Sequence, residues 1–164
     1  MNSLNILFSA FIVSCAVEVF YYLFFFLRLS FFKEKEVKGS EIPISVIICA
    51  RNESENLLHH LPDVCEQAYP IFEVIVIDDC SLDDSQDILR AYTDKYNHLR
   101  TIKVQEGRHF DGGKKFALTL GIKGAKYEHI VLIDADCRPK SNQWLQKMTG
   151  GFDGTKEIVL GYGA

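Results

Sequence analysis

Asp134 and Asp136 are the residues of this chain whose type and spacing most clearly suggest chemistry. They follow an apolar run at 130–133 that is typical of a strand buried on both faces, and Arg138 and Pro139 end the extended pattern. Because side chains alternate along a strand, both carboxylates should face the same side and could share one hard cation. They could equally cap backbone amides in a turn.

Two other predicted strands also end in polar residues. The apolar run 44–50 is followed by a polar segment at 51–53, and the run 72–77 is followed by Asp78 and Asp79. Because ligands of parallel α/β sheets bind at the carboxyl ends of the strands, the three strand ends should form one site. Asp79 could accept hydrogen bonds from a base or a ribose, or one aspartate of the pair could cap the following helix.

A glycine and lysine segment, Gly112-Gly113-Lys114-Lys115, lies at the start of another predicted helix. Glycines let backbone amides approach a phosphate, and a helix N-terminus and lysine charge favour an anion. A flexible loop before a solvated basic helix end would look the same, and the spacing is not that of a P-loop. A diphosphate held between the lysines and a metal on Asp136 would reconcile the opposite charges, which suggests a nucleotide diphosphate ligand.

The elements that must position these residues alternate between strand and helix patterns. Strands are predicted at 44–50, 72–77, 101–104, 130–134 and 157–160, and helices at 55–67, 83–96, 114–126 and 142–148. Asn52 or Ser54 could cap the first of these helices. The alternation indicates right-handed βαβ units and an α/β fold, with a mainly parallel sheet covered by helices on both faces.

The N-terminal part of the chain has a different composition. Nearly every residue from 4 to 32 is apolar, and Glu18 and Arg28 are the only charges there. About 20 apolar residues cross a bilayer, and a cleaved signal peptide would have a basic start, which is lacking here. We therefore expect one transmembrane helix. Glu18 could make a polar contact with another membrane helix, but we favour a tilted helix that places it near a headgroup or a partner.

The basic residues Arg28, Lys33, Lys35 and Lys38 follow the apolar run, which predicts that the C-terminal side is cytoplasmic. Five cysteines without a CxxC pair favour reduced core residues in a reducing compartment. The net charge of −4 and the lack of a basic stripe argue against a nucleic-acid binder. We predict a membrane anchor at 1–32, a charged linker at 33–42 and a globular domain at 43–164.

Four segments of the globular domain resemble the family 2 glycosyltransferases in order and spacing: residues 45–57, 76–83, 113–118 and 133–136. The resemblance covers about residues 43–163. It implies a GT-A fold, which is a Rossmann-like, nucleotide-sugar-binding sheet, and a DxD motif that coordinates Mg²⁺ or Mn²⁺. Thr119 departs from the family, which often has asparagine at this position.

The resemblance also implies a set of nucleotide-sugar-binding residues. In this sequence they are Ala50, Arg51, Asn52, Glu53, Asp78, Asp79, Lys114, Asp134 and Asp136. Asp79 would contact the base, usually uracil, and Lys114 would lie near the phosphate or ribose. Asp136 would be the direct metal ligand, and Asp134 would lie nearer the ribose while also belonging to the metal site.

The implied reaction is transfer of a sugar from a nucleotide diphosphate sugar, with UDP favoured, to a glycan, lipid or other acceptor, with inversion and with help from a metal ion. The family's catalytic base lies in a later acidic motif. Only Asp153 and Glu157 are candidates here, and neither has the expected context, so no base is assigned. We expect a membrane-anchored donor-binding half, truncated at its C-terminus.

Two alternatives belong to other classes. The first is a truncated, catalytically silent module that binds nucleotide sugars or partner proteins at the membrane. The second is another α/β enzyme with paired aspartates, such as a DxD-type phosphatase, which Cys137 and Arg138 fit poorly.

Overall fold

The computed structural model describes residues 3–31, 41–104, 113–152 and 158–161. The chain divides into two compact units, Met1–Val37 and Lys38–Ala164.

In the described part of the first unit there is one long helix, α1, which spans Ser3–Ser30. Its segment Leu4–Leu27 is long and apolar enough to cross a membrane, with a mean hydropathy of 2.1. At 1.5 Å per residue, such a segment exceeds the roughly 30 Å of a bilayer's hydrocarbon core. The large apolar side chains along this segment are exposed within the unit. By length and composition, α1 is therefore a candidate membrane span.

The second unit is built on a parallel sheet, as predicted. Its strands are β1 (Ile44–Ala50), β2 (Phe72–Asp78), β3 (Leu99–Lys103) and β4 (His129–Asp134), in the spatial order β3-β2-β1-β4. The register places Ala50 opposite Asp78 and Cys49 opposite Asp134. The ends of β1, β2 and β4 therefore lie side by side at one edge of the sheet, where ligands of parallel sheets bind.

Four helices connect or follow these strands: α2 (Ser54–Cys65), α3 (Ser85–Lys95), α4 (Gly113–Gly124) and α5 (Trp144–Thr149). A larger buried cluster joins strand residues such as Val46 to Leu57, Leu89 and Leu145 of α2, α3 and α5. A second cluster, on the other face of the sheet, joins Ile47 and Ile77 to Ala117 of α4. Side chains alternate along each strand, so the two clusters confirm that helices cover both faces.

Helix α4 packs against the sheet at close range. A Cβ atom added to Gly121 would lie 2.6 Å from Ile47 Cγ2 and 2.7 Å from Ile77 Cδ1. Such distances are well inside van der Waals contact, so only a residue without a side chain lets α4 approach this closely.

The prediction that the strand before Asp134 is buried on both faces was wrong. Only Val131 is buried in β4, and Leu132 is 54% exposed. In the described part of the chain β4 pairs with β1 alone, so it lies at the edge of the sheet. Composition alone does not distinguish an edge strand from a central one.

Several element boundaries also differ from the prediction. The strand predicted at 101–104 forms at Leu99–Lys103, α3 begins at Ser85 rather than at 83, α4 ends at Gly124 rather than at 126, and α5 begins at Trp144. Residues 158–160 form no strand, and Glu157 lies outside the described residues. The N-cap residue of α2 is Glu53, without a side-chain cap, so neither Asn52 nor Ser54 has the predicted capping role.

Candidate functional site

A pocket of about 260 Å³ lies at the carboxyl ends of β1, β2 and β4. Its lining consists of strand ends, the turn after β4 and the first turns of α4: Cys49, Ala50, Arg51, Glu53, Asp79, Gly113, Lys114, Ala117, Asp134, Ala135 and Asp136. Seven of the nine residues predicted to bind a nucleotide sugar are in this lining. The other two, Asn52 and Asp78, lie outside it.

Asp79 and Arg51 form one wall of the pocket. The backbone amide of Asp79 donates to the carbonyl oxygen of Ala50 at 2.9 Å, which continues the pairing of β2 with β1 beyond the last strand residue. Asp79 is 8% exposed, and its Oδ2 lies 3.9 Å from Arg51 Nη1. A carboxylate acceptor beside a guanidinium donor can hydrogen-bond the edge of a base or a ribose.

Asn52 ties together the loops that follow β1 and β2. Its backbone has φ of 56°, in the left-handed region that asparagine tolerates better than most residues. The backbone amide of Asn52 donates to Ser81 Oγ at 2.9 Å, and its side-chain Oδ1 accepts from the backbone amide of Leu82 at 2.8 Å. The hydrogen bonds of Asn52 therefore hold the two loops together next to the pocket.

Asp83 makes a second tie between the same two loops. Its carboxylate accepts from the backbone amide of Ser54 at 2.9 Å and from that of Ser85 at 3.1 Å. Burial would raise the pKa of this carboxyl, but the hydrogen bonds from Ser85 and Ser54 outweigh it and lower the pKa to about 2. Asp83 is thus held in its ionised form, and its hydrogen bonds join the two loops.

Asp78, at the end of β2, is buried, with 2% of its surface exposed, and lies outside the pocket lining. Its Oδ1 accepts from the amide of Ser81 at 3.0 Å, whereas its Oδ2 has no hydrogen-bond partner in the described part of the chain. The prediction that Asp78 or Asp79 caps the following helix was wrong, because α3 begins later and its N-cap residue is Asp84.

On the opposite wall, Lys114 reaches across to the strand end of β4. Its Nζ lies 2.6 Å from Asp134 Oδ1, and both side chains are more than half exposed. The hydrogen bond to Asp134 raises the pKa of Lys114. Gly113, at φ of 40°, begins α4, and Gly112 lies outside the described residues. The lysine therefore brings positive charge to the acidic edge of the pocket.

Asp134 and Asp136 do not follow the predicted alternation along one strand. Strand β4 ends at Asp134, and residues 135–136 form a turn in which the amide of Cys137 donates to the carbonyl oxygen of Asp134 at 3.0 Å. Asp134 and Asp136 still line the same pocket. We call residues 134–137 the acidic turn.

The chemistry of this donor set fits a divalent cation that a substrate completes. Carboxylate oxygens are the ligands that Mg²⁺ and Mn²⁺ prefer. The described residues contain no group of three or more acidic, histidine or cysteine side chains that could enclose a metal. Magnesium in phosphate-binding sites is commonly held by one or two carboxylates together with phosphate oxygens, and Asp134 and Asp136 supply that number.

Four lining residues were not in the predicted set: Cys49, Gly113, Ala117 and Ala135. Burial raises the pKa of the Cys49 thiol, so it is a neutral part of the wall. All four of these residues lie within the segments quoted above, 45–57, 113–118 and 133–136, and could have been included on that ground. Ala117 follows Gly113 by about one helical turn, a spacing that sequence reasoning could have used.

Residues 45–162 match the family described as Glycosyl transferase family 2. The chain belongs to this family. The predicted resemblance is thereby confirmed over most of the second unit.

Several relatives of this family 2 chain carry glycosyltransferase names. The chain is 32% identical over 120 residues to "Glycosyltransferase AglE" of Haloferax volcanii, which covers 72% of this chain and 38% of that protein. It is 35% identical over 105 residues to "Poly-beta-1,6-N-acetyl-D-glucosamine synthase" of Staphylococcus epidermidis, covering 63% of this chain and 23% of that protein. The chain thus spans well under half the length of these relatives.

Solved structures of similar fold include a mannosyltransferase of Pyrobaculum calidifontis in complex with GDP-Man and Mn²⁺, with a TM-score of 0.68, 25% identity and coverage of 85% of this chain and 42% of that one. TarS of S. aureus in complex with UDP-GlcNAc gives a TM-score of 0.59 and 26% identity, covering 69% of this chain and 32% of that one. The parallel sheet of this family 2 chain has the predicted GT-A fold.

Proposed function

We propose that the second unit binds a nucleotide diphosphate sugar in the pocket and that the protein transfers the sugar, with inversion, to a glycan, lipid or other acceptor. The observation that carries this proposal is that seven residues predicted to bind the donor line one pocket, although they come from four separate segments of the chain. Two solved relatives were obtained with GDP-Man and with UDP-GlcNAc. We propose a uridine donor for this chain.

The two walls of the pocket suit the two ends of such a donor. Asp79 and Arg51 present an acceptor and donors to the base and ribose, and Lys114 presents a cation to the diphosphate. Asp136, with Asp134, would hold a Mg²⁺ or Mn²⁺ ion, which supplies neutralisation of the charge on the diphosphate leaving group when bound. Such preorganised charge acts where negative charge develops in the transition state.

The acceptor must also lose a proton, which calls for a carboxylate base near the acceptor hydroxyl. The carboxylates that line the described pocket, those of Glu53, Asp79, Asp134 and Asp136, all lie where the donor would bind. Asp153 and Glu157 lie outside the described residues. A catalytically silent nucleotide-sugar-binding module is therefore the second candidate function.

We further propose that α1 anchors the protein in a membrane, with the second unit in the cytoplasm. The length and hydropathy of α1 and the basic residues Arg28, Lys33, Lys35 and Lys38 support this arrangement. The proposed organisation is an anchor at 1–32, a charged linker at 33–42 and a glycosyltransferase domain at 43–164.

Donor binding is tested by calorimetry on the full chain in detergent, with UDP, UDP-GlcNAc and GDP-mannose, each with and without Mn²⁺. We expect binding that Mn²⁺ strengthens, and we expect Asp136→Ala to weaken Mn²⁺-dependent binding by at least about tenfold. Asp94→Ala, which removes an exposed aspartate of α3 outside the pocket lining, is the matched control. Equal binding by Asp136→Ala and the wild-type chain would refute the metal assignment.

Turnover separates the two candidate functions. Release of UDP from a bound donor in the presence of membrane extract would support a transferase, and the Asp136→Ala chain should lose it. Tight donor binding without release of UDP under any acceptor condition would favour the silent module.

A further inference from the structure

One face of α2 contacts the acidic turn and the residue that follows it, Arg138. His60 Nδ1 donates to the carbonyl oxygen of Ala135 at 3.3 Å, which requires the proton on Nδ1. Asp63 accepts a hydrogen bond from Arg138 Nε, and the two groups form an ion pair. Residues three apart on a helix lie on the same face, so His60 and Asp63 meet the turn together.

The residue between the two aspartates, Ala135, belongs both to the pocket lining and to the core. Ala135 is 7% exposed and belongs to the same buried cluster as Leu57 and Leu61 of α2. Asp134 and Asp136 on either side of it are exposed. The acidic turn thus has its small middle residue packed in the core that it shares with α2, while Asp134 and Asp136 on either side are exposed at the pocket.

The segment that follows the turn is fastened to the end of the same helix. Gln67, 6% exposed, donates from Nε2 to the carbonyl oxygen of Ser141 at 3.0 Å and accepts at Oε1 from the amide of Leu145 at 3.0 Å. The amide of Ala68 donates to the carbonyl oxygen of Asn142 at 2.7 Å. Residues 135–145 are therefore attached to α2 and its C-terminal extension near both ends.

We propose that His60 and Asp63 are positioning residues that fix the backbone of the acidic turn so that Asp136 presents its carboxylate to a divalent cation. This inference rests on the proposed function, because it assigns the purpose of the contacts to the cation of the donor site. Hydrogen bonds behind a metal ligand commonly change metal affinity 10–100-fold when they are removed.

The physical reason lies in the exposure of the turn. A carboxylate that faces a ligand cannot be packed on that side, so its backbone must be restrained from behind if its position is to be defined. The carbonyl of Ala135 and the side chain of Arg138 are the groups of this segment that His60 and Asp63 hold. Without these contacts the turn would keep its core residue but would lose two of its polar restraints.

The experiment uses the full chain in detergent and the variants His60→Phe and Arg138→Gln. Phenylalanine keeps the ring volume of His60 but cannot donate, and Arg138 is 66% exposed at its side chain, so its replacement should leave the fold intact. His59→Phe is the matched control, since His59 is the exposed neighbouring histidine on α2. His60→Asn is the rescue variant, because the Asn Nδ2 group can donate from nearly the position of His Nδ1.

Two measurements are made on each chain. Hydrogen exchange of peptides that cover residues 130–140, without added metal, reports the restraint of the turn. Titration with Mn²⁺, alone and with UDP, reports the affinity of the cation site. We expect His60→Phe and Arg138→Gln to speed exchange in these peptides and to weaken Mn²⁺ affinity by about tenfold, while His59→Phe and His60→Asn stay within about twofold of wild type.

Unchanged Mn²⁺ affinity in both variants would overturn the positioning role, even if exchange is faster, because the contacts would then be merely structural. Unchanged exchange would overturn it as well. If the wild-type chain binds neither Mn²⁺ nor UDP, the donor site itself fails. The failure of the proposed function is thus distinguished from that of the positioning role.

Discussion

Carboxylates lie at both ends of the parallel sheet, but the number of their hydrogen-bond partners within the protein differs between the two ends. At the amino end, Glu73 of β2 is 6% exposed and accepts from Ser45 Oγ at 2.6 Å, from the amide of Lys126 at 2.5 Å, and from Arg100 Nε and Nη2 at 3.1 and 2.8 Å. Burial would raise the pKa of Glu73, but these hydrogen bonds lower it.

At the carboxyl end, Asp78 and Asp134 use only part of their hydrogen-bonding capacity. Asp78 Oδ2 has no partner in the described part of the chain, and Asp134 is met by one exposed lysine. A carboxylate with all its partners inside the protein stabilises the fold, whereas an exposed carboxylate that lines a pocket, such as that of Asp134, is accessible to a ligand.

The strongest test of this contrast is Glu73→Ala at the amino end. The substitution leaves the Ser45 hydroxyl and the Lys126 amide without their acceptor, and it removes the carboxylate partner of Arg100, which keeps its hydrogen bond to the carbonyl oxygen of Gly124. We expect the free energy of unfolding to fall by about 3 kcal/mol. Chemical denaturation followed by the fluorescence of Trp144, the single tryptophan, measures it.

Glu128→Ala is the control for that measurement, since Glu128 is an exposed glutamate just before β4. It should change the free energy of unfolding by less than about 0.5 kcal/mol. Equal effects of the two substitutions would show that the hydrogen bonds of Glu73 do not stabilise the fold.

A smaller loss of stability is expected at low pH, when Asp83 near the carboxyl end of the sheet becomes protonated. The pKa of Asp83 is about 2 in the folded chain, against an ordinary value of 3.8. A lowered pKa stabilises the folded state fully above about pH 3.8, and this contribution is lost as the pH falls towards 2. Denaturation midpoints measured between pH 6 and pH 2 should therefore fall less steeply for Asp83→Asn than for wild type. Parallel curves would contradict the role assigned to these hydrogen bonds.

The smallest effect is expected from Asp134→Asn. The ion pair of Asp134 with Lys114 is exposed to solvent, and such pairs contribute about 0–1 kcal/mol. The denaturation midpoint should hardly move, although Mn²⁺-dependent UDP binding should weaken. A loss of stability comparable to that of Glu73→Ala would mean that Asp134 is a structural residue and would remove the contrast between the two ends.

The sequence allowed the strand ends to be located, because apolar β-branched runs stop abruptly at polar residues and parallel strands align their ends. It did not reveal that β4 lies at an edge or that the chain turns directly after Asp134, since both depend on which strands pair. Glu73 was not recognised as a structural carboxylate because its partners come from three other segments. The contact of His60 with Ala135 joins residues 75 positions apart, and no local pattern announces it.

Gly121 offers a way to vary the geometry of the pocket from a distance. It lies two turns after Lys114 on α4, where the helix packs closely against Ile47 and Ile77. One added methyl group would act as a spacer that lifts the helix from the sheet, at a cost of about 1–3 kcal/mol. The reach of the Lys114 ammonium towards the strand end could thus be adjusted without altering any group that lines the pocket.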